Sequence, residues 1–198
     1  MSAPDELGKG GLPILGFADL AAFSWWLDRQ SANSTGLWLR LAKKGSATLS
    51  LSKQHAIDAA LCNGWIDGQL DTYDAEHFLV RFTPRRSQSK WSQVNCARAE
   101  LLIGEGLMQP GGLVQIEAAK ADGRWDAAYA PASTASVPDD LQAALNASPA
   151  AAAFFKTLTG ANRYAILYRI GAVKRAETRA RKIAGYVAML ERGGTIHG

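Results

Sequence analysis

Metal-binding and redox signatures are missing from this chain. Its three histidines, His55, His77 and His197, stand too far apart to make a metal-ligand spacing, and its two cysteines form no CxxC pair. No P-loop and no GxSxG elbow occurs, and Gly8, Gly10 and Gly11 follow no strand that would make them a dinucleotide fingerprint. No apolar run approaches the roughly 20 residues needed to span a bilayer. The opening MSAPDELGKGG has acids and glycines where a secretory signal has a basic start and an apolar stretch. Together these absences weigh against an enzyme and against membrane insertion, call for no cofactor or metal, and make the cytoplasm the expected location. Nothing in the sequence specifies an oligomeric state.

What is present is ordinary globular material. Of 198 residues, 47% are hydrophobic and 20% charged. Burial can therefore offset chain entropy, and a largely disordered chain is excluded. The formal charge is only +4, so an anionic partner must be argued from clustering of cations and not from their average. Cys62 and Cys96 lie inside apolar helical patterns and read as free buried thiols.

Residues 1–12 read as a flexible tail, 13–130 as an α+β domain and 131–198 as a C-terminal helical domain packing on the first. Phe17 to Gln30 is an amphipathic helix with Leu20, Phe23, Trp26 and Leu27 inward, followed by a polar break at 31–36. Leu37, Leu39 and Leu41 alternate as in a strand. Ser52 caps a helix that stops at Asn63-Gly64. Two strands, Trp65–Thr72 and Glu76–Phe82, then form an antiparallel meander joined at Tyr73-Asp74-Ala75. A helix from Ser92 to Glu105 is expected to turn Val94, Ala97, Leu101 and Leu102 inward, and a short helix follows the Pro-Gly-Gly at 110–112. From Pro138 the chain is helical. Its last helix, from Val173 to Arg192, is expected to bury Ala176, Ala180, Ile183, Ala184, Val187 and Leu190.

The segment from Thr83 to Asn95 is the most informative. Arg85, Arg86 and Lys90 share a strand-to-helix turn with Ser89, Trp91, Ser92 and Asn95. A helix N-terminus offers unpaired N–H groups and a partial positive charge, and arginine forks match phosphate or carboxylate in two parallel hydrogen bonds. The bland alternative makes one of the serines an N-cap, the tryptophan a hydrophobic staple and the arginines solvated. Trp65 and Asp67 share one face of a strand, where Asp67 is read first as an ion-pair partner for Arg85 or Arg86 and second as a general base. Near the C-terminus Arg175, Arg179 and Lys182 form one basic stripe and Lys174, Thr178 and Arg181 a neighbouring one, either solvated or drawn to anionic company.

Several of these stretches, Ala59-Ala60-Leu61-Cys62-Asn63-Gly64-Trp65-Ile66-Asp67, Phe82-Thr83-Pro84-Arg85-Arg86, Ser89-Lys90-Trp91-Ser92 with Asn95, Gly106-Leu107-Met108, Gly123-Arg124-Trp125 and Ala128-Tyr129, occur in order. With the segment from Val137-Pro138 through Lys174-Arg175-Ala176-Glu177-Thr178-Arg179 to Ile183, they resemble the YdeI/OmpD-associated family over residues 15–192. The resemblance implies a protein labelled for bacteriocin protection and for association with an outer-membrane porin, with no established reaction to carry over. It implies for the first half a YjbR/CyaY-like fold: a small antiparallel sheet with helices on one face, followed here by the C-terminal helical segment. That grouping includes acidic, frataxin-like iron chaperones and nucleic-acid binders, and the basic clusters of this chain do not suit iron.

Three functional expectations follow. The first is a non-catalytic binding protein for stress protection, taking a phosphate-like anion on Arg85, Arg86, Ser89, Trp91, Ser92 and Asn95, with Trp65 and Asp67 as walls and Lys174, Arg175 and Arg179 as a closure. Its partner is an anionic small molecule or the acidic segment of a protein. The second is nucleic-acid binding through the basic surfaces at 81–98 and 174–182. The third is an enzyme with Asp67 as base.

Overall fold

The computed structural model describes residues 6–30, 33–46 and 51–197. Among these it has one four-stranded sheet and eight α-helices. The fold divides into two compact units, residues 1–91 with 95–128, and residues 92–94 with 129–198.

The first unit is the α+β part. Its elements are β1 (Ile14–Leu15), α1 (Leu20–Asp28), β2 (Leu37–Ala42), α2 (Lys53–Cys62), β3 (Trp65–Thr72), β4 (His77–Pro84), α3 (Gln93–Gly104) and α4 (Pro110–Ala121). The strand order is β1-β2-β4-β3. β4 pairs antiparallel with β3, the meander expected from the sequence, and antiparallel with β2 on its other side, and β1 adds a short parallel edge. The β3–β4 turn is held by Asp74, whose Oδ1 accepts from the Glu76 and His77 backbone N–H groups at 2.7 and 2.6 Å.

β2 buries one whole face and, through Trp38, part of the other, where Arg40 stays exposed. Leu37, Leu39 and Leu41 join Phe23, Trp26, Ala56, Ala60, Val80 and Phe82 in the core beneath α1 and α2. On the other face Trp38 packs with Leu12 and Leu79, and its Nε1 donates to the Lys9 carbonyl at 2.9 Å. Residues 6–12 are therefore held in place, where composition alone reads as a flexible tail; residues 1–5 of that tail and 31–32 of the polar break lie outside the described residues. Burying Leu12 on Trp38 outweighs the glycines around it.

Ser52 caps α2 as expected, accepting from His55 N–H at 3.2 Å. Gly64, at φ 77°, turns the chain into β3, and a side chain there would meet the Gly111 carbonyl. Gly112 likewise lets the start of α4 rest on the Cys62 carbonyl, which is what the Pro-Gly-Gly sequence accomplishes.

α3 faces the core differently from its expected pattern. Cys96, Ala99 and Leu102, at i, i+3 and i+6, are buried against Leu61, Ile116 and Ala119, while Val94 and Leu101 are more than half exposed. The helix is short enough that a rotation of one residue suits the available partners, which outweighs side-chain size.

The second unit packs α5 (Asp139–Asn146), α6 (Pro149–Thr157), α7 (Gly160–Gly171) and α8 (Ala176–Glu191) around Leu141, Leu145, Phe155, Ile166, Ile170, Ile183 and Leu190. Ser148 caps α6, with Pro149 in its first turn. α8 buries Ile183 and Leu190, with Val187 partly covered, but leaves Ala176, Ala180 and Ala184 exposed, so its core stripe is narrower than the sequence suggests. The buried Asn162 ties down the C-terminal segment, its Oδ1 accepting from the Ile196 and His197 N–H groups at 3.0 and 2.8 Å.

Candidate functional site

The basic turn after β4 folds around Arg85. Its backbone N–H donates to the Gly64 carbonyl at 2.9 Å, and its guanidinium lies 3.7 Å from the centre of the Trp91 ring, with Nη1 donating to the Lys90 carbonyl at 3.2 Å. Arg85 is 5% exposed and Trp91 1%. Arg86, the next residue, is exposed. The two guanidinium groups therefore do not act as one clamp. Ser89 is used locally, its Oγ accepting from Arg86 N–H at 2.9 Å and so closing the turn.

Trp91 has a second aromatic neighbour in Trp125, at 4.8 Å between ring centres. Lys120 sits 5.0 Å over the Trp125 ring, and Arg124 donates through Nη1 to the Ser89 carbonyl at 3.0 Å while its Nε binds Asp122. Arg85 and Lys120 thus face the two rings of one tryptophan pair, and Arg124 is bonded to the same turn. The Trp91 indole Nε1 is buried with no hydrogen-bond partner among the described residues. Beside them burial pushes the Cys96 thiol up to about 11, even though the Arg85 charge acts the other way.

The other expected residues divide. Trp65 is a core residue, 5.6 Å edge-on from Trp26 and paired with Pro84 where β4 ends. Asp67, half-buried opposite Phe82, makes no ion pair with Arg85 or Arg86 among the described residues, against the first reading of its role. Edge strand β3 carries it two residues beyond the Trp65–Pro84 pair, where the turn has already left the sheet. Asn95 is half-buried in the first turn of α3. Ser92 is buried and bridges Tyr129 in the second unit.

Lys174, Arg175 and Arg179 also belong to the second unit. Arg179 is occupied there: its Nε and Nη2 bind the two Asp140 oxygens at 2.6 and 2.9 Å, and its Nη1 donates to the Ile170 carbonyl at 2.9 Å. Lys182 approaches the Arg169 carbonyl at 3.4 Å. These two cations close the C-terminal end of α7, where unpaired carbonyls carry partial negative charge. Lys174, Arg175 and Arg181 remain exposed.

Residues 15–115 match the family described as "Domain of unknown function (DUF8412)". The chain belongs to this family. Residues 134–193 match a second family, described as "Bacteriocin-protection, YdeI or OmpD-Associated". Neither the curated proteins nor the solved structures contain a match to the chain. The YdeI/OmpD-associated likeness is therefore carried by the helical second unit, and the DUF8412 match covers the sheet, α1–α3 and the first half of α4.

The DUF8412 stretch also holds a pair that the sequence reading passed over. Asp58 of α2 and Arg98 of α3 form a forked ion pair, Nε–Oδ1 at 3.0 Å and Nη2–Oδ2 at 2.8 Å, and Gln54 adds a third hydrogen bond to Oδ1 at 3.0 Å. Forty residues separate the partners, so no local spacing announces them. Trp125 and Lys120 were equally hidden, although Gly123-Arg124-Trp125 is one of the motifs of the resemblance. Among the described residues no group of His, Cys, Asp and Glu is arranged to hold a metal, and no helix is long and apolar enough to cross a membrane.

Proposed function

We propose that the protein is a non-catalytic binding protein of the YdeI/OmpD-associated type, acting in the cytoplasm in stress protection, whose basic turn holds a phosphate-like anion. The observation that carries this reading is Arg85 on the Trp91 ring and Lys120 on the Trp125 ring, with Arg124 bonded to the same turn, the exposed Arg86 next to Arg85 in the chain, and the buried Trp91 indole N–H without a hydrogen-bond partner among the described residues. Arg85 acts from below, as a fixed charge stacked on the ring, while Arg86 and Lys120 supply solvent-facing cations. A charge held in a partly dry setting acts more strongly on an anion than the same charge in water. A YjbR/CyaY-like likeness for the first unit belongs to the same proposal, supported by a small sheet with α1 and α2 on one face.

A thermal-shift series with inorganic phosphate, pyrophosphate and nucleoside phosphates tests it. A ligand at about 100 times its Kd stabilises by about 2.7 kcal/mol, or roughly 5–10 °C for a chain of this size. The Arg86→Ala/Lys120→Ala variant, altered at two exposed positions, should melt as the parent does and lose the shift. An absent shift, or one retained by the variant, removes the anion site.

A second reading, nucleic-acid binding through 81–98 and 174–182, is favoured by the exposure of Lys174, Arg175 and Arg181 around the start of α8. It requires a steep fall of affinity with salt through counterion release, read by filter binding. The enzyme reading gains no support from the cavity among α1, α2 and α3, which Asp67 does not line.

A further inference from the structure

A cavity of about 510 Å³ opens among α1, α2, α3 and the 107–109 segment of the first unit, and none of Arg85, Arg86 or Trp91 lines it. Its size lies within the roughly 300–1,000 Å³ typical of small-molecule sites. The sequence of α1 creates one wall. Phe23, Trp26 and Leu27 face the core, which leaves Leu20, Ser24, Trp25 and Asp28 on the far side of the helix, at the cavity. A surface helix ordinarily puts polar residues there. α1 instead presents Leu20 and Trp25, 40% and 53% exposed, and Leu107 faces the same space at 52%. Singly exposed apolar residues need no explanation, but these converge on one concavity.

The cavity also has a polar side. Asp58, 9% exposed, is saturated by Arg98 and Gln54. That arrangement uses Nε and Nη2 of Arg98, and Nη1 makes no hydrogen bond among the described residues, on a side chain 33% exposed. The two amides of the lining donate to backbone carbonyls, Asn63 to Ala59 and Gln109 to Leu107. Arg98 Nη1 is thus the charged donor that a guest would meet. Asp58 is paired with Arg98, and Asp28 lies 3.9 Å from Arg29, whose guanidinium also covers one side of the Trp25 ring, so the charges of the lining are balanced and do not favour an anion. Cys62 beneath is a protonated thiol, its pKa raised chiefly by burial.

We infer that this cavity binds an uncharged small molecule with a flat, mostly apolar body and a carbonyl-type acceptor. The body lies against Trp25, Leu102 and Leu107, and the acceptor takes a hydrogen bond from Arg98 Nη1. A phosphate-like anion belongs to the basic turn and not here, so the two sites differ in ligand class and can be tested apart.

Nile red, an uncharged dye with a fused planar ring system and a carbonyl, is a suitable probe for titration of the intact chain by fluorescence. The expected result is saturable 1:1 binding with a blue-shifted emission. Trp25→Ala should weaken it roughly tenfold through the lost ring contact. Ser24→Phe, which fills the cavity from an α1 position outside the core, should abolish it while circular dichroism and melting stay at parental values. Arg86→Ala/Lys120→Ala should leave the titration unchanged, and inorganic phosphate should not compete. Non-saturable binding, equal binding by Ser24→Phe, or loss in the basic-turn variant would overturn the assignment.

Discussion

The guanidinium of Arg85 is stacked 3.7 Å from the centre of the Trp91 ring, and both side chains are buried. This contact decides the shape of the turn after β4: the chain wraps over Arg85, Nη1 holds the Lys90 carbonyl, and Arg86 is left outside. One arginine of the pair is part of the scaffold and the other is available to a partner. Arg85→Ala should therefore cost about 2–4 kcal/mol, since a desolvated cation–π contact is worth about 2 and the truncation also leaves a void. Arg86→Ala should stay within about 0.5 kcal/mol, as exposed substitutions usually do. Urea unfolding of both variants checks this, and equal midpoints would refute the division of roles.

Asp58 and Arg98 join α2 to α3 across the cavity of the first unit. Removing Asp58 leaves the guanidinium partly buried without its acid. A fully buried broken pair costs about 3–5 kcal/mol, but Arg98 keeps a third of its side-chain exposure, so Asp58→Ala is expected to cost about 1–3. A double-mutant cycle with Arg98→Ala should show coupling, and additive losses would mean that the fork contributes nothing of its own.

Asp140 has an acid-range signature. The Arg179 guanidinium bonded to it holds its carboxyl below the ordinary 3.8, with partial opposition from desolvation. A depressed folded pKa contributes stability that is present above the unfolded value and is lost as pH falls through the folded one. The urea midpoint of the parent should thus fall more steeply than that of Asp140→Asn once pH drops below about 3.8. Parallel curves through that window would show that the pair does not couple to folding.

Cys96 should resist thiol reagents. Burial raises its pKa to about 11, which makes the thiolate scarce at pH 8 and limits access as well. In a Cys62→Ser background, labelling by a chromogenic disulfide reagent at pH 8 should be slow in buffer and fast in urea. A raised thiol pKa also means stability that is present below the ordinary thiol value of 9.0 and lost as pH rises towards about 11. Fast labelling of the folded protein would contradict the buried placement.

Local patterns in the sequence determined most of the elements. Alternating leucines made β2, Ser52 and Ser148 capped their helices, and Asn63-Gly64 ended α2, because each effect acts within a few residues and needs no distant partner. The antiparallel meander was readable for the same reason. Tertiary structure alone decided which face α3 buries. It turned Cys96 and Leu102 of α3 inward and left Val94 and Leu101 outside, since the winning face depends on Leu61 and Ile116 elsewhere in the chain. It also separated two adjacent arginines, burying Arg85 on Trp91, and joined Asp58 to Arg98 across forty residues. Charge and spacing are written along the chain, but solvent exclusion is a property of three dimensions, and exclusion determines which charges are scaffold and which can meet a ligand.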